Sequence, residues 1–141
     1  MAVINASKLV FGRLASIAAE RALKGEQIDI VNVEKAVIIG KKSAVIARYK
    51  KRVGMKGKAN PEKGPKYSKT PEKMMKHALK GMLPKRERGI TALKKIRVFI
   101  GVPNGIQLDK AETIVIASYN GKEDAIELGE LGKALGWKWS M

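Results

Sequence analysis

Basic side chains are the residues of this sequence whose number and spacing could do chemistry, and that chemistry is phosphate binding. The segment from Arg48 to Arg97 holds 18 of the 29 lysines and arginines and only three acidic residues. Nearly all of the formal net charge of +16 therefore lies in one third of the chain. Bringing so many like charges together costs free energy that an anionic partner can offset. The sequence thus predicts a polyanionic ligand.

These basic residues fall into three clusters. The first surrounds Tyr49 in a helical pattern, the second lies in a loop rich in glycine and proline, and the third follows the end of the next helix. Cations without interleaved acids favour phosphate contact, and arginine can bind two phosphate oxygens at once. The plainer alternatives are a solvated helix face, a disordered loop and an ordinary basic turn. The clusters are Arg48, Lys50, Lys51 and Arg52; Lys56, Lys58, Lys63, Lys66 and Lys69; and Lys80, Lys85, Arg86 and Arg88.

Nucleic acid fits this arrangement better than a lipid surface does. Anionic lipid usually recruits an amphipathic basic helix with large apolar anchors. Here three glycines and two prolines interrupt the basic segment between residues 54 and 65, so it is a loop suited to an irregular phosphate backbone. Tyr67 could stack on a base or sugar, or pack within the protein, and the sequence favours neither.

Catalytic and metal-binding patterns are weak. The first turn from strand to helix offers only Gly12, without the glycine-rich pattern of a dinucleotide site, and no P-loop pattern occurs. His77 is the only histidine and there is no cysteine, which disfavours a transition-metal site. At helical spacing His77 falls near Lys73 and Lys80, which favours a solvated or phosphate-adjacent side chain over a catalytic base. We expect no enzyme activity, no cofactor and no metal.

The elements that would position the clusters begin with a β-α-β pattern. Residues 3–6 are β-prone, and helical periodicity then runs from Phe11 to Ala22 with Gly25 just beyond the end. Two strand candidates follow, over residues 27–33 and 36–39. This order favours an α/β fold with a parallel sheet covered by helices.

The first two clusters follow this start. Residues 41–53 predict a helix with Tyr49 on its apolar side and the cations off it. Residues 54–69 have few apolar side chains and cannot bury enough surface to offset their ordering entropy. We expect this segment, the basic arm, to be mobile in the free chain and ordered by its partner.

Two further helices and a strand carry the third cluster. Thr70 as N-cap and Pro71 at the first helical position predict a helix start, and Pro84 closes that helix. A short helix over residues 89–95 and a strand over residues 96–100 follow.

The C-terminal residues differ in charge from the rest. Residues 98–141 hold four basic and six acidic residues. Residues 113–117 are β-rich and residues 130–135 predict a helix, while Trp137 and Trp139 are expected to pack within the protein.

Length and composition fit one domain. We expect a single domain over residues 1–141, with a core of residues 1–103, the arm 54–69 and a small C-terminal appendix, residues 104–141. No charged leader with an apolar stretch is evident, no apolar run approaches the ~20 residues of a membrane span, and the absence of cysteine fits a reducing compartment. A cytoplasmic location is therefore expected.

Five strings of residues carry a resemblance to a known family. The most distinctive is the turn Gly81-Met82-Leu83-Pro84, with Gly89 following and then the strand up to Gly101. Together they resemble large-subunit ribosomal protein thirteen (L13), in its archaeal-type form, over roughly residues 2 to 103. The other strings are Gly12-Arg13-Leu14-Ala15-Ser16, Val31-Asn32-Val33-Glu34-Lys35-Ala36, Tyr49-Lys50-Lys51-Arg52 and Asn60-Pro61-Glu62-Lys63-Gly64-Pro65.

The resemblance implies a three-layer α/β/α fold around a mostly parallel four-stranded sheet. It also implies a structural protein that binds large-subunit rRNA early in assembly, without catalysis, beside neighbouring ribosomal proteins. It adds Arg13 to the RNA-contacting residues of the three clusters. Ile90 departs from the family, which usually has a polar or basic residue there, and this weakens the expectation of an RNA contact at position 90.

Two alternatives share some of these features. A general DNA-binding or chromatin-type protein would share the charge but not a preference for folded RNA, and no helix-turn-helix or zinc-finger pattern supports it. A nucleotide-using α/β enzyme would share the β-α-β start.

Overall fold

The computed structural model describes residues 1–138 and has a mixed α/β fold, so the prediction for Trp139 lies outside the described residues. The helices in this range are α1 (Phe11–Leu23), α2 (Lys42–Val53), α3 (Pro71–Met82), α4 (Glu87–Lys94) and α5 (Leu128–Ala134). The strands are β1 (Ala2–Asn5), β2 (Ile28–Val31), β3 (Val37–Ile39), β4 (Ile96–Val98) and β5 (Ala125–Glu127).

Three parallel strands form the main sheet, in the order β1, β2, β4. The parallel pairing predicted from the β-α-β start is confirmed, with α1 as the crossover between β1 and β2. Ile4, Ile30 and Val98 lie side by side in register and are buried. This apolar row belongs to the same buried cluster as Leu14 and Ala18 of α1, so the core lies between the sheet and that helix.

Helix α1 packs closely because its buried side chains are small. Ala15, Ala18 and Ala22 are buried, and the helix contacts both α3 and α4. The chain turns directly after the helix at Gly25, whose φ of +99° is a conformation that glycine adopts at low cost. This ending is the one that the sequence predicted.

One cation of the basic segment is used inside the sheet. Asp29 of β2 is 1 % exposed, and Arg97 of β4 lies beside it in register. The Nε and Nη2 groups of Arg97 each donate a hydrogen bond of 2.7 Å to the carboxylate, and these bonds raise the pKa of the guanidinium. The pair holds β2 to β4 and leaves Asp29 with a buried charge that depends on Arg97.

The number of strands differs from the expected four. The main sheet has three, and the strand predicted over residues 36–39 instead pairs antiparallel with β5, with Ile38 opposite Ile126. The layers are consistent with the α/β/α arrangement. Residues 113–117, expected to be β-rich, contain a 3₁₀ turn in which Val115 and Ile116 are exposed, so the prediction of extended structure there was wrong.

The C-terminal residues contribute to the core. Ile126, Leu128 and Leu131 are buried in the same cluster as the sheet residues. Helix α5 contacts α3 and the 3₁₀ turn Val33–Lys35 that follows β2. Across residues 1–138, no helix is both long and apolar enough to cross a membrane.

Candidate nucleic-acid interface

Helix α2 presents the first basic cluster to solvent. It packs through buried Val45 and half-buried Tyr49, while Arg48, Lys50, Lys51 and Arg52 are exposed. The guanidinium carbons of Arg48 and Arg52 lie 5.8 and 5.3 Å from the centroid of the Tyr49 ring. The ring therefore helps to orient two cations, within the range of a cation–π contact. Tyr49 faces the core, as its spacing predicted.

The arm, residues 54–69, leaves α2 and returns to α3. Two of its glycines cross closely, because an added Cβ on Gly64 would lie 2.5 Å from the backbone nitrogen of Gly57. A 3₁₀ turn over Pro61–Lys63 forms the bend between them. The mobility expected for this arm in the free chain stays a prediction. All five of its predicted RNA-binding lysines are exposed: Lys56, Lys58, Lys63, Lys66 and Lys69.

Helix α3 starts where it was predicted to start, but without a side-chain capping bond. Thr70 occupies the N-cap and Pro71 the first helical position, yet the hydroxyl of Thr70 makes no capping hydrogen bond. Instead its Oγ1 lies 3.1 Å from Oγ of Ser68, which also accepts a hydrogen bond from the Thr70 N–H. The predicted N-cap position is therefore confirmed, and the Thr70 hydroxyl contacts Ser68 rather than the N–H groups of the first helical turn.

The arm and the two helices enclose a central cleft of about 270 Å³. Tyr67 of the arm meets His77 of α3 there, edge to face, with ring centroids 6.1 Å apart at 71°. Lys73 was not among the predicted RNA-binding residues, although its helical spacing to His77 placed it on the same face. The cleft is lined by Phe11, Tyr49, Arg52, Val53, Lys66, Tyr67, Ser68, Lys73, Met74, His77 and Ala78.

Two further clefts continue the central one. The arm cleft, about 340 Å³, shares Val53, Lys66 and Tyr67 with it. The turn cleft, about 500 Å³, shares His77 with it and extends to the end of α3 and the start of α4. No acidic side chain among the described residues lines any of the three, although Lys56, Lys66, Arg52, Lys73, Lys80 and Lys85 do. Through the residues that they share, the three clefts adjoin one another, and we call them together the channel.

The third basic cluster is held by a tight crossing between the α3–α4 turn and α4. A Cβ added at Gly89 would lie 1.8 Å from the carbonyl oxygen of Pro84, so only glycine fits there. The crossing is anchored by buried Leu83. It leaves Lys85, Arg86 and Arg88 exposed around the start of α4.

Arg13 stands apart from this channel. It is exposed in the first turn of α1, and it does not line the arm, central or turn cleft. Phe11, two residues earlier, lines the central cleft. The position implied by the family resemblance is thus outside the channel lining, and so are eight of the thirteen predicted residues of the three clusters: Arg48, Lys50, Lys51, Lys58, Lys63, Lys69, Arg86 and Arg88.

Within residues 1–138, five of the 29 cations form salt bridges, and the other 24, which include the fourteen predicted RNA-binding residues, do not. Within residues 1–138, none of the fourteen predicted RNA-binding residues forms a salt bridge with an acidic side chain, and all fourteen are exposed. Five other cations are paired: Arg21 with Glu26 and Glu112, Lys24 with Glu20, Lys42 with Glu130, Lys76 with Glu72, and Arg97 with Asp29. The unpaired set keeps its full charge for an external anion. We call these fourteen residues the basic surface.

The described residues offer little for other chemistry. No group of three or more His, Cys, Asp or Glu side chains in residues 1–138 could hold a metal ion. Glu34, which is 4 % exposed, accepts a hydrogen bond of 3.0 Å from the N–H of Gly101. Its carboxylate thus joins the end of β2 to the turn after β4, which is a structural role.

Comparison with known proteins gives one consistent family. The family model for ribosomal protein L13 matches residues 1–104. Three archaeal proteins named large ribosomal subunit protein uL13 are similar over almost their whole length. The protein of Methanococcus maripaludis is 40 % identical over 99 % of this chain and 100 % of its own. The protein of Archaeoglobus fulgidus is 40 % identical over 96 % of this chain and 88 % of its own.

The third relative, from Thermoplasma acidophilum, is 39 % identical over 96 % of this chain and 98 % of its own. The resemblance noted in the sequence is thereby confirmed, together with the expectation of a structural rather than a catalytic protein. The chain belongs to the ribosomal protein L13 family.

Proposed function

We propose that this chain is a structural constituent of the large ribosomal subunit, that it binds large-subunit rRNA through the basic surface, and that it supports early subunit assembly. The observation that carries the proposal is the large number of exposed cations without a salt bridge in a member of this family. Fourteen exposed cations have no acidic partner in residues 1–138, and five of them, Arg52, Lys56, Lys66, Lys80 and Lys85, line the channel. Such a set is costly in the free protein and favourable against a polyanion.

The contacts of this surface are mainly with phosphate groups and with RNA shape. The deep, narrow major groove of A-form RNA hides base edges from side chains, so a cationic channel reads the backbone. The arm lies where RNA helices crowd together and neutralises their phosphates there. Packing of the sheet, α1 and α3 supplies the rigid support, because each cluster begins or ends on a helix of that core.

Neighbouring ribosomal proteins are expected to contact the C-terminal segment, which is mildly acidic. Residues 98–141 carry four basic and six acidic residues, and Val115 and Ile116 are 82 % and 80 % exposed. An apolar pair in a mildly acidic segment suits a basic protein better than it suits phosphate. Placement on the ribosome also accounts for a cytoplasmic location.

Salt-dependent binding tests the rRNA contact. The probe is a large-subunit rRNA transcript from the organism of one of the relatives, with duplex DNA as competitor. If the basic surface neutralises about 6–10 phosphates, affinity falls by roughly 10³–10⁵ between about 50 and 200 mM salt. An affinity that hardly changes with salt contradicts the proposal, and displacement by duplex DNA as readily as by rRNA favours a general nucleic-acid-binding protein.

A charge-matched pair of variants tests whether RNA binding depends on the residues of the basic surface or only on the net charge of the chain. One variant replaces Lys85, Arg86 and Arg88 by alanine, and the other replaces Lys110, Lys122 and Lys133, which are also exposed and lie in the C-terminal segment. Both lose three positive charges from +16. The first is expected to reduce the salt slope by about 3 and the second to leave it almost unchanged. Equal losses would show that only net charge matters.

Assembly is tested in cells. The first triple variant is expected to shift from the large-subunit fraction toward the top of a sucrose gradient, while the second sediments with the subunit. Absence of the unaltered protein from the large-subunit fraction would contradict the proposal as a whole.

A further inference from the structure

The turn cleft differs in chemistry from the rest of the channel. Its lining is mostly apolar: Leu83, Pro84, Ile90 and Leu93 form the floor, and Leu83 is buried whereas Ile90 is 52 % exposed. Lys80, Lys85 and His77 also line the cleft and are exposed, and we call these three polar residues its edge. A surface built for phosphate alone has no use for an exposed apolar floor of this kind.

A glycine in the same cleft has no internal reason to be glycine. Gly81 lies within α3 near its end, with an ordinary helical backbone, and it lines the cleft. A Cβ added there would meet no heavy atom of residues 1–138 within 4 Å. Glycine lowers helix stability relative to alanine, by roughly 2–6 °C in melting temperature for a domain of this size. The fold would therefore be more stable with alanine at this position.

The helical glycines fall into two groups. An added Cβ would meet open space at Gly12 as it does at Gly81, but Gly12 does not line the channel. Gly89, Gly129 and Gly132 each face protein atoms, because an added Cβ would lie 1.8, 3.2 and 2.9 Å from its nearest neighbour. Those glycines are explained by packing. Gly81 differs from the packed glycines and from Gly12 because it combines open space with a place in the lining of the turn cleft, where a partner can come close to the helix backbone.

We propose that the turn cleft is a binding site for a single unstacked nucleotide of the RNA, with the base on the apolar floor and its phosphate at Lys80 and Lys85. The cleft volume, about 500 Å³, lies within the roughly 300–1,000 Å³ of small-ligand sites. Unpaired bases are the part of RNA that proteins read, and an apolar floor with a cationic edge matches a base that carries a phosphate. The inference rests on the proposed rRNA binding.

The two halves of the nucleotide are addressed by different residues. The floor offers Pro84 and Ile90 to the flat face of a base, and His77, exposed at the edge, can extend the stacking surface. The open space above Gly81 lets the sugar approach the helix. An apolar side chain of a protein neighbour would use the same floor but would not need two lysines at the edge.

Methyl NMR of the full chain tests the site directly. The probes are hexaadenylate, an abasic oligomer with the same number of phosphates, and inorganic polyphosphate, all at low salt. We expect the methyl signals of Ile90 and Leu93 to shift with hexaadenylate and not with the two probes that lack bases. Equal shifts with all three probes, or methyls that stay silent while hexaadenylate binds elsewhere, would overturn the nucleotide site and leave phosphate binding intact. A chain that binds neither hexaadenylate nor the rRNA transcript would instead refute the proposed function.

Substitutions at Gly81 and Ile90 provide a second, independent readout. Gly81→Ala is expected to raise the melting temperature by roughly 2–6 °C and to weaken hexaadenylate binding about fivefold or more, because stacking on protein contributes roughly that much per base. Its affinity for the abasic oligomer should stay the same. Ile90→Ala should weaken hexaadenylate binding while Val115→Ala, an exposed apolar control outside the cleft, should not. A Gly81→Ala chain that binds hexaadenylate with unchanged affinity would overturn the site.

Discussion

Replacing Gly89 by alanine is the single-methyl change that we expect to damage this protein most. The added Cβ would lie 1.8 Å from the carbonyl oxygen of Pro84, 2.7 Å from its carbonyl carbon and 3.0 Å from its nitrogen. The obstacle is backbone, so no side chain can rotate out of the way. Pro84 must retreat by about 1 Å or more, since non-bonded carbon contacts ordinarily exceed ~3 Å.

Pro84 cannot move this far at low energetic cost, because residues near it and near Gly89 are buried. Leu83, just before Pro84, is 6 % exposed, and Ala92, one turn after Gly89, is 3 % exposed. The Gly89 N–H also donates a hydrogen bond of 2.9 Å to the carbonyl of Arg86. Overpacking of this kind typically costs about 1–3 kcal/mol, and a backbone clash on both sides of buried anchors places Gly89→Ala at about 3 kcal/mol or more.

Thermal and urea unfolding measure this loss, and Gly81→Ala is the matched control. Both variants add one methyl to a helical glycine, eight residues apart in the same motif. Gly89→Ala is expected to lower the melting temperature by roughly 10 °C, whereas Gly81→Ala raises it. The rRNA affinity of Gly89→Ala should fall as well, because Lys85, Arg86 and Arg88 move with the turn. A Gly89→Ala protein as stable as the unaltered chain would refute the packing argument for this turn.

Three further outcomes follow from the ion pairs and a turn. Arg97→Gln should lower the stability measured by unfolding, because Asp29 loses two hydrogen bonds, and should leave rRNA affinity nearly unchanged. Arg86→Gln removes the same charge but should lower rRNA affinity and leave stability nearly unchanged. The hydrogen bonds from Arg21 lower the pKa of Glu26, so its stabilising effect is present above about pH 4.3 and is lost as pH falls further. The ion pair of Glu26 contributes at most about 1 kcal/mol to stability. The melting-temperature difference between the unaltered chain and Glu26→Gln should therefore shrink below pH 4, and a difference that stays constant with pH would contradict this. Gly25→Ala should cost about 1 kcal/mol in urea unfolding, because φ is +99° there.

Local patterns in the sequence predicted the elements, whereas partner choice between distant segments escaped them. The spacing of Phe11, Leu14, Ala18 and Ala22 gave α1, and Gly25 gave its end. Strand β3 has only three residues, so its own sequence cannot show which strand it pairs with. It could have been the fourth strand of the parallel sheet, but it pairs antiparallel with β5, where Ile38 lies opposite Ile126, 88 residues away. That partner, β5, was missed because three residues flanked by acids carry no strand pattern.

The sequence also did not predict that some apolar residues are exposed to solvent. Val115 and Ile116 suit a strand by composition, but the backbone turns in a 3₁₀ helix and buries Ala117 instead. The N–H of Val10 donates a hydrogen bond of 2.7 Å to the carbonyl of Ala117, which fixes the segment against α1. Such long-range hydrogen bonds outweigh a weak local β preference.

The candidate site illustrates what a count of charges omits. Arg97 and Lys76 lie within the same cationic segment as Arg86 and Lys73, and nothing in their residue type separates them. Their pairing with Asp29 and Glu72 removes them from the binding surface, because a cation that already holds a carboxylate must give up that contact before it takes a phosphate. The affinity of this protein for RNA should therefore scale with the number of cations in the basic surface rather than with the net charge of +16. Charge-equal variants inside and outside the basic surface distinguish the two scalings, and the unpaired lysines of the C-terminal segment supply the controls.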